Sequence, residues 1–221
     1  MKIGHCGLRR CISVAMFGAT LGLAGCNYVG AAYVLVKGPE KKPRAFTLEK
    51  ERPTVIFVDD RANVLARRTY RAQIAKVAQE TLLKEGILTN VIDTSAAMQA
   101  ALRESSGEPL DITTLGRQVQ AEIVIYVTMD SFVLTGDGQT YSPQAKAHVK
   151  VIDTKLAKRV FPLEKKEGHP IAVTLKLATG TVPEAGTAQL NALSALADET
   201  GLEVAEVFFD SIARDSIRQG N

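Results

Sequence analysis

Tryptophan is absent from the sequence, and aromatic residues make up only 5% of its 221 positions. Carbohydrate-binding platforms stack sugar rings on aromatic faces, so this composition disfavours that function. The sequence also has no phosphate-binding glycine loop, no dinucleotide-binding glycine pattern and no serine nucleophile elbow after any predicted strand. The common signatures of nucleotide binding and serine hydrolysis are therefore missing.

Histidine is equally scarce, with three in the chain. His148 lies on a predicted strand without an acidic or cysteine neighbour at ligand spacing, and His169 lies in a Gly-His-Pro turn. A protein zinc site needs three or four ligands, which these residues do not supply. We therefore predict no metal site and no cofactor.

The three cysteines all fall in the first 26 residues, where the sequence has the layout of a secretory signal. A basic start is followed by an apolar run over residues 12–24, and small residues precede Cys26. This order is typical of a signal peptide, and the run is short for a permanent span of the roughly 30 Å hydrocarbon layer. The signal is expected to be removed.

Leu23-Ala24-Gly25-Cys26 resembles the lipobox of bacterial lipoproteins. The resemblance implies that residues 1–25 are cleaved and that Cys26 is acylated, which places two or three acyl chains on the protein and attaches it stably to a membrane. Asn27 stands where an aspartate would favour retention in the inner membrane, which implies the outer membrane, facing the periplasm. An ordinary secretory signal, cut elsewhere and leaving Cys26 as a free thiol, is the alternative.

Cleavage changes the charge of the protein. The chain has 27 Lys and Arg against 24 Asp and Glu, and three of the basic residues (Lys2, Arg9 and Arg10) belong to the signal. The mature chain is thus close to neutral, so we predict no nucleic-acid partner. With Cys26 acylated, no cysteine remains for a disulfide, a nucleophile or a metal site.

Three segments follow from these patterns. Residues 26–46 are predicted to be the lipidated cysteine with its tether, because residues 37–46 combine two prolines with a charge cluster. The apolar stretch 27–36 is expected either to dip into the membrane interface or to pack on the fold. Residues 47–219 are predicted to form a single globular periplasmic domain.

Hydrophobic spacing predicts an α/β (α+β) fold in which helices flank a mixed β-sheet. The element order is β-α-β-α-α-β, followed by an antiparallel hairpin and a carboxyl-terminal helix. The predicted strands are Thr54–Val58, Asn90–Ile92, Glu122–Phe132 and Gln144–Asp153, with edge strands at Lys158–Phe161 and Ile171–Leu177. The predicted helices are Arg67–Glu85 stopped by Gly86, Thr94–Leu102 capped by Thr94, a helix from Asp111 or Thr113 to Val119, and Leu202–Ile217 capped by Thr200.

This order, with "LGRQVQAEIVIYVTMDSF" and "VKVIDTKLAKRVF", resembles the domain shared by the TolB amino-terminal region and the curli secretion lipoprotein (CsgG-like) family. The resemblance covers about residues 54–162 and implies an anticodon-binding-domain-like fold with a role in periplasmic assembly, secretion or adaptor binding. It transfers no functional residue. A membrane-barrel strand needs about 9–11 alternating residues, and "VLTGDGQTYSP" after Phe132 is too short for a spanning hairpin, so we expect no channel.

Asp59 and Asp60 follow the first predicted strand, where open α/β sheets bind ligands. Paired acids at this place are similar to the magnesium-binding acids of receiver domains. A receiver also needs an acidic phosphoacceptor on its third strand and a lysine on its fifth, and Asp130 lies inside a strand with no suitable lysine after it. A polar turn is therefore the favoured interpretation, and a magnesium or catalytic role is the alternative.

Four arginines, Arg61, Arg67, Arg68 and Arg71, lie near the start of the first predicted helix, where the helix dipole disfavours cations. They are candidates for contact with lipid headgroups, lipopolysaccharide phosphates or an acidic partner. A solvated helix end is the alternative. The basic residues between Lys155 and Lys166, mixed with Glu164, are predicted to be ordinary surface.

Three functional hypotheses remain. The first is a non-enzymatic, lipid-anchored adaptor or assembly factor that binds envelope proteins, with a homo-oligomer left open. The second is a lipid or small-ligand binding module that assists lipopolysaccharide or lipid transport. The third is an enzyme that uses Asp59 and Asp60.

Replacing Cys26 tests the membrane attachment. Cys26→Ser removes the sulfur that would carry the acyl chains, so we expect loss of palmitate incorporation and accumulation of the uncleaved precursor. Radiolabelled palmitate followed by gel analysis measures both, and Cys11→Ser, which changes a cysteine inside the signal, is the matched control. Unchanged labelling of the Cys26→Ser protein would contradict the lipobox prediction.

Overall fold

The computed structural model of the chain describes residues 41–102, 111–136, 141–175 and 186–212. Cys26, the apolar stretch 27–36, residues 176–177 of a predicted strand and residues 213–217 of the last predicted helix lie outside these ranges. Within them, no helix has both the length and the apolar character needed to cross a membrane. Two compact units are present: a larger one, Arg44–Phe209, and a smaller one, whose described residues are 41–43 and 210–212.

Secondary structure is numbered here in chain order. The strands are β1 (Lys41–Lys42), β2 (Thr54–Asp59), β3 (Ile123–Val133), β4 (Gln144–Asp153), β5 (Lys158–Phe161), β6 (His169–Thr174) and β7 (Ser211–Ile212). The helices are α1 (Arg68–Lys84), α2 (Thr94–Leu102), α3 (Ile112–Gln118) and α4 (Thr187–Glu206). In the smaller unit, β1 and β7 pair antiparallel.

A mixed five-stranded sheet forms the centre of the larger unit. β2 and β3 are parallel, with Thr54 opposite Ile123 and Asp59 opposite Thr128. β3 and β4 form the predicted antiparallel hairpin. The outer edge of β4 is shared, because β5 pairs with its carboxyl end and β6 with its amino end. The predicted fold class, a mixed sheet with flanking helices, is confirmed.

The two faces of the sheet are covered differently. On one face, α1 and α4 pack over the main core, which includes Ile56, Ile125 and Val149. On the other face, α2 and α3 cover a smaller cluster that includes Val55 and Val124. Every residue of β2 is buried, since helices lie against both of its faces.

Helix α1 confirms the predicted amphipathic pattern. Tyr70, Ile74, Ala78 and Leu82 are buried on one stripe, as spacing of three and four residues requires. Gly86 adopts φ = 66°, and the amides of Gly86 and Ile87 donate to the carbonyls of Leu83 and Leu82. This is the Schellman arrangement, which satisfies the last carbonyls of a helix and ends it.

Two predictions between α1 and α2 are wrong. The strand expected at Asn90–Ile92 is reduced to one isolated parallel bridge between Val91 and Thr54. Helix α2 is capped by Asp93 and not by Thr94, because an Asp93 carboxylate oxygen accepts the Ser95 amide at 2.7 Å. Hydrogen bonds from Ser95 lower the pKa of Asp93. Thr94 is instead buried inside the first turn.

The predicted last helix, Leu202–Ile217, is also misplaced. Helix α4 begins at Thr187 and ends at Glu206, and Ser211 and Ile212 belong to β7. Thr200 lies within the helix, and its hydroxyl donates to the Leu196 carbonyl at 2.6 Å. The buried stripe begins well before Thr200, at Ala192, so the prediction captured only the end of a longer helix.

Helices α1 and α4 approach closely at Gly201. A Cβ at this position would lie 2.6 Å from the Ile74 carbonyl oxygen and 2.8 Å from the Val77 Cβ. Gln73 of α1 donates its side-chain amide to two residues of α4 that precede Gly201: to Asp198, one turn earlier, at 2.7 Å, and to the Ser194 hydroxyl, two turns earlier, at 2.8 Å. Gly201 therefore permits close contact between the two helices, and these hydrogen bonds set the position of α1 along α4.

Gly201→Val is expected to destabilise the fold by about 1–3 kcal/mol, because the new side chain forces the two helices apart. Ala195→Val, at an exposed position of the same helix, should cost under about 1 kcal/mol from helix propensity alone. Urea unfolding followed by circular dichroism measures both. Equal losses in the two variants would contradict the close-packing interpretation.

Candidate functional site

Asp59 ends β2 with its carboxylate almost fully buried, at 6% exposure. One oxygen accepts the Tyr126 hydroxyl at 2.5 Å and lies 2.7 Å from the Arg61 Nε. Tyr126 lies on β3 opposite Phe57, two register positions before the partner of Asp59, and its ring stacks on that of Phe57 at a centroid distance of 6.2 Å. The Asp59 carboxylate thus forms an ion pair with a neighbouring guanidinium and accepts a hydrogen bond from a phenol.

Tyr126 acts as a neutral hydrogen-bond donor in this cluster. Burial, reinforced by the hydrogen bond to anionic Asp59, raises its pKa to about 12. A deprotonated phenol beside a carboxylate would place two negative charges together. Tyr126 on β3 therefore keeps its proton, and its hydrogen bond to Asp59 on β2, throughout the neutral pH range.

Asp60 has a different structural role from its neighbour Asp59. Its two carboxylate oxygens accept the backbone amides of Val64 and Leu65 at 2.8 and 3.1 Å. These bonds shape the connection from β2 to α1, in which Asn63 adopts a positive φ of 52° and Leu65 enters the core. The predicted polar turn is present at Asp60.

The four arginines of the predicted cluster separate into bound and exposed members. Arg61 pairs with Asp59. Arg71 donates through Nε to the Val58 carbonyl at 3.0 Å, and its guanidinium lies 5.7 Å from the centre of the Phe57 ring. Arg67 and Arg68 are exposed. The side chain of Arg61 is also exposed, at 56%, but its guanidinium is paired with Asp59.

Beyond the area covered by α2 and α3, the second face of the sheet is polar. Alternate residues of the strands point the same way, so Asp59, Thr128 and His148 form one row across β2, β3 and β4. Lys146 lies next along β4, opposite Ser131, and is exposed, as is Thr174 on β6. We call the surface formed by Thr128, Asp130, Lys146, His148 and Thr174 the polar sheet face.

A polar pair lies on this face beside a β-bulge in β3. The register shifts between Met129 and Ser131, leaving Asp130 unpaired between them. The Asp130 carboxylate lies 2.7 Å from His148 Nδ1, and the side chains of Asp130 and His148 are 41% and 28% exposed. The sequence prediction found no acidic companion for His148, because the two residues are distant along the chain and meet only when β3 and β4 pair.

The opposite end of the sheet contains a charged cluster that was not predicted from the sequence. Arg52 contacts Asp153 at 2.8 Å, Glu122 at 3.0 Å and Glu49 at 3.2 Å. Burial alone would raise the pKa of Asp153, but the hydrogen bonds from Arg52 and the Leu156 amide lower it overall. Lys155 and then Arg52 lower the pKa of Glu122.

A cavity of about 250 Å³ lies beside this cluster. Its walls come from the segment before β2, which contributes Phe46 and Leu48, and from the β4–β5 turn and β5, which contribute Leu156 and Val160. Arg52 and Asp153 line its inner side. Neither here nor in the rest of the described ranges do three His, Cys, Asp or Glu side chains converge in a way that would hold a metal ion.

No protein-family model matches the sequence, and no curated protein does either. Solved structures with a similar arrangement include a PelC dodecamer from Paraburkholderia phytofirmans, at 15% identity and a TM-score of 0.40, covering 76% of this chain and 91% of that one. The hypothetical protein CT253 from Chlamydia trachomatis matches at 18% identity and 0.43, covering 72% and 94%. Lipoprotein GNA1162 from Neisseria meningitidis matches at 10% and 0.38, covering 66% and 94%.

Lipoproteins are thus among the solved structures with a related arrangement of elements. All of these TM-scores are below 0.5.

Tyr126→Phe is expected to cost about 1–3 kcal/mol of stability at neutral pH, because buried Asp59 loses a donor. Tyr141→Phe removes the same atom from a half-buried ring that has no hydrogen-bond partner in the described part of the chain, and should be nearly neutral. Denaturant unfolding of the two variants makes the comparison. Equal small effects would contradict a strand-linking role for the Tyr126 hydroxyl.

The same variant predicts a difference at high pH. The folded-state pKa of Tyr126 is raised above the unfolded value, so its contribution is complete below about pH 10 and is lost as the pH rises toward about 12. Wild type should therefore lose more stability than Tyr126→Phe across this interval. Parallel stability profiles would show that the phenol titrates normally.

Proposed function

We propose that the protein is a non-enzymatic, lipid-anchored protein of the cell envelope that acts as an adaptor or as an accessory factor in assembly or secretion. Cys26 carries the lipid, and the residue after it, Asn27, favours the outer membrane with the folded unit facing the periplasm. The resemblance to the TolB amino-terminal and curli secretion families is part of this proposal. The partner is an envelope protein.

The polar sheet face is the observation that carries the proposal. It presents an acid, a histidine, a lysine and hydroxyl groups on strands whose opposite side is fixed in the main core. A rigid surface with interspersed charges of both signs suits a protein partner with complementary charges, since such patterns select partners and set their orientation. A surface for nucleic acid would be uniformly basic.

The state of the two candidate acids supports a non-enzymatic role. Magnesium is held by carboxylate oxygens that remain available to it. Asp59 is occupied by Tyr126 and Arg61, and Asp60 by two backbone amides. Both acids have structural partners that account for their presence at the end of β2.

Site-specific photocrosslinking in cells tests the proposal. A photoreactive residue in place of Lys146 or Thr174 should capture a distinct envelope protein, which mass spectrometry identifies. Lys76, exposed on α1 against the opposite face of the sheet, is the matched control position. Capture of the same protein from Lys76, or no capture from the polar sheet face, would contradict an adaptor that docks there.

A lipid or small-ligand binding module is the second candidate, favoured by exposed Arg67 and Arg68 and by the cavity beside Arg52. Joint Arg67→Glu and Arg68→Glu changes should then reduce the lipid that copurifies with the protein, whereas Lys76→Glu with Lys84→Glu should not.

The photocrosslinking experiment also tests for a homo-oligomer. Crosslinks from position 146 to a second copy of the chain would establish one.

A further inference from the structure

The loop between β5 and β6, residues 162–168, carries the most exposed large hydrophobic side chain among the described residues. Leu163 is 77% exposed, and Leu156, on the turn at the other end of β5, is 59% exposed. A leucine side chain with this exposure contributes little hydrophobic free energy to the folding of the isolated chain. Both residues flank the same short edge strand.

Lysines surround these leucines. Residues 155–167 contain five basic and two acidic side chains, in a chain whose basic and acidic residues are nearly balanced. Lys155 is bound to Glu122 at 2.5 Å, while Lys158, Lys165 and Lys166 are exposed and have no ion pair within the described part of the chain. The surface therefore combines apolar tips with a local positive charge.

The loop has a defined shape despite its exposure. Arg159 donates to the carbonyl oxygens of Lys166 at 2.8 Å, Lys165 at 3.0 Å and Leu163 at 3.4 Å. The Gly168 amide donates to the Lys165 carbonyl as well. Because one guanidinium organises the loop, Leu163 can insert elsewhere with little further loss of backbone entropy.

We propose that this surface, formed by Leu156, Lys158, Leu163, Lys165 and Lys166, contacts a membrane that contains anionic lipid headgroups. Lysines are attracted to such a surface, and leucine side chains enter its apolar boundary. Protein interfaces concentrate their energy in tryptophan, tyrosine and arginine, whereas lysine is depleted there and leucine is under-represented among the residues that dominate affinity. The composition of this surface thus matches a lipid surface better than an acidic protein.

The inference relies on the proposed membrane attachment only to bring the loop near a membrane. It concerns a different part of the chain from both Cys26 and the polar sheet face. Wild-type protein purified from membranes is first tested for a reactive thiol. If Cys26 is labelled, the acylation proposal fails by itself, and the loop can still be examined by adding vesicles to the protein.

The test uses the full chain with an environment-sensitive fluorophore on Glu164→Cys, which leaves both leucines intact. Glu80→Cys, exposed on α1 near the opposite edge of the sheet, is the matched control. Vesicles contain phosphatidylglycerol, or phosphatidylcholine alone, together with lipids that carry a quencher in the acyl chains. The measured quantities are the blue shift and the quenching of each label.

Label 164 should be quenched and blue-shifted in phosphatidylglycerol vesicles, and label 80 should not. Adding Leu163→Ser should lower the quenching, and changing Lys158, Lys165 and Lys166 to Gln should weaken docking by roughly 100-fold. Equal signals from the two labels, or none at 164, would overturn the proposal. Shielding of label 164 by a copurified acidic protein would assign the surface to that partner and overturn the lipid assignment.

Discussion

The ion pair between Arg52 and Asp153 joins the three strand ends on which the sheet depends. Arg52 precedes β2, Asp153 ends β4, and Glu122, which also contacts Arg52, precedes β3. Asp153 is 3% exposed, so removing Arg52 would leave a buried carboxylate without its ion-pair partner, at a cost of about 3–5 kcal/mol. Through Asp153 and Glu122, Arg52 therefore sets the starts of β2 and β3 relative to the end of β4.

The two ends of the sheet differ in what their charges do. At the end with Arg52, the Thr154 hydroxyl and the Arg117 side chain add further bonds between the β4–β5 turn, the start of β3 and α3. At the end with Asp59, Tyr126 and Arg61 secure β2 to β3, and the strands then continue into the exposed polar sheet face. One end holds the strand ends together, and the other exposes polar side chains to solvent.

The sequence was informative where structure depends on local spacing. Helix α1, its glycine stop and the β3–β4 hairpin agree with their predicted positions, because α1 and β4 each bury one face and β3 begins with a continuous buried apolar run. The start of α4 was missed because the residues before Thr200 are alanine-rich and polar, and their burial depends on contact with α1. Asp93 was overlooked as a cap because Thr94 beside it is also a good capping residue.

The candidate site was less predictable, since its pairs are distant in sequence. The partners Tyr126 and Asp59 are separated by 67 positions, and Arg52 and Glu122 by 70, so no local pattern could join them. The Asp130–His148 pair forms only when β3 and β4 come together, so spacing along the chain does not reveal it. Asp59 and Asp60 were identified from the sequence as adjacent acids, but only the structure separates their roles.

The division of the outer edge of β4 between β5 and β6 leaves the loop that joins these two strands outside the hydrogen-bonded ladder. Each short strand is held to β4 by its own hydrogen bonds, so the loop is not needed to keep either strand paired. Connecting loops tolerate insertions and deletions, and a change in the length or charge of this loop leaves the register of the sheet unchanged. The surface properties of the loop are therefore separable from the folding of the sheet.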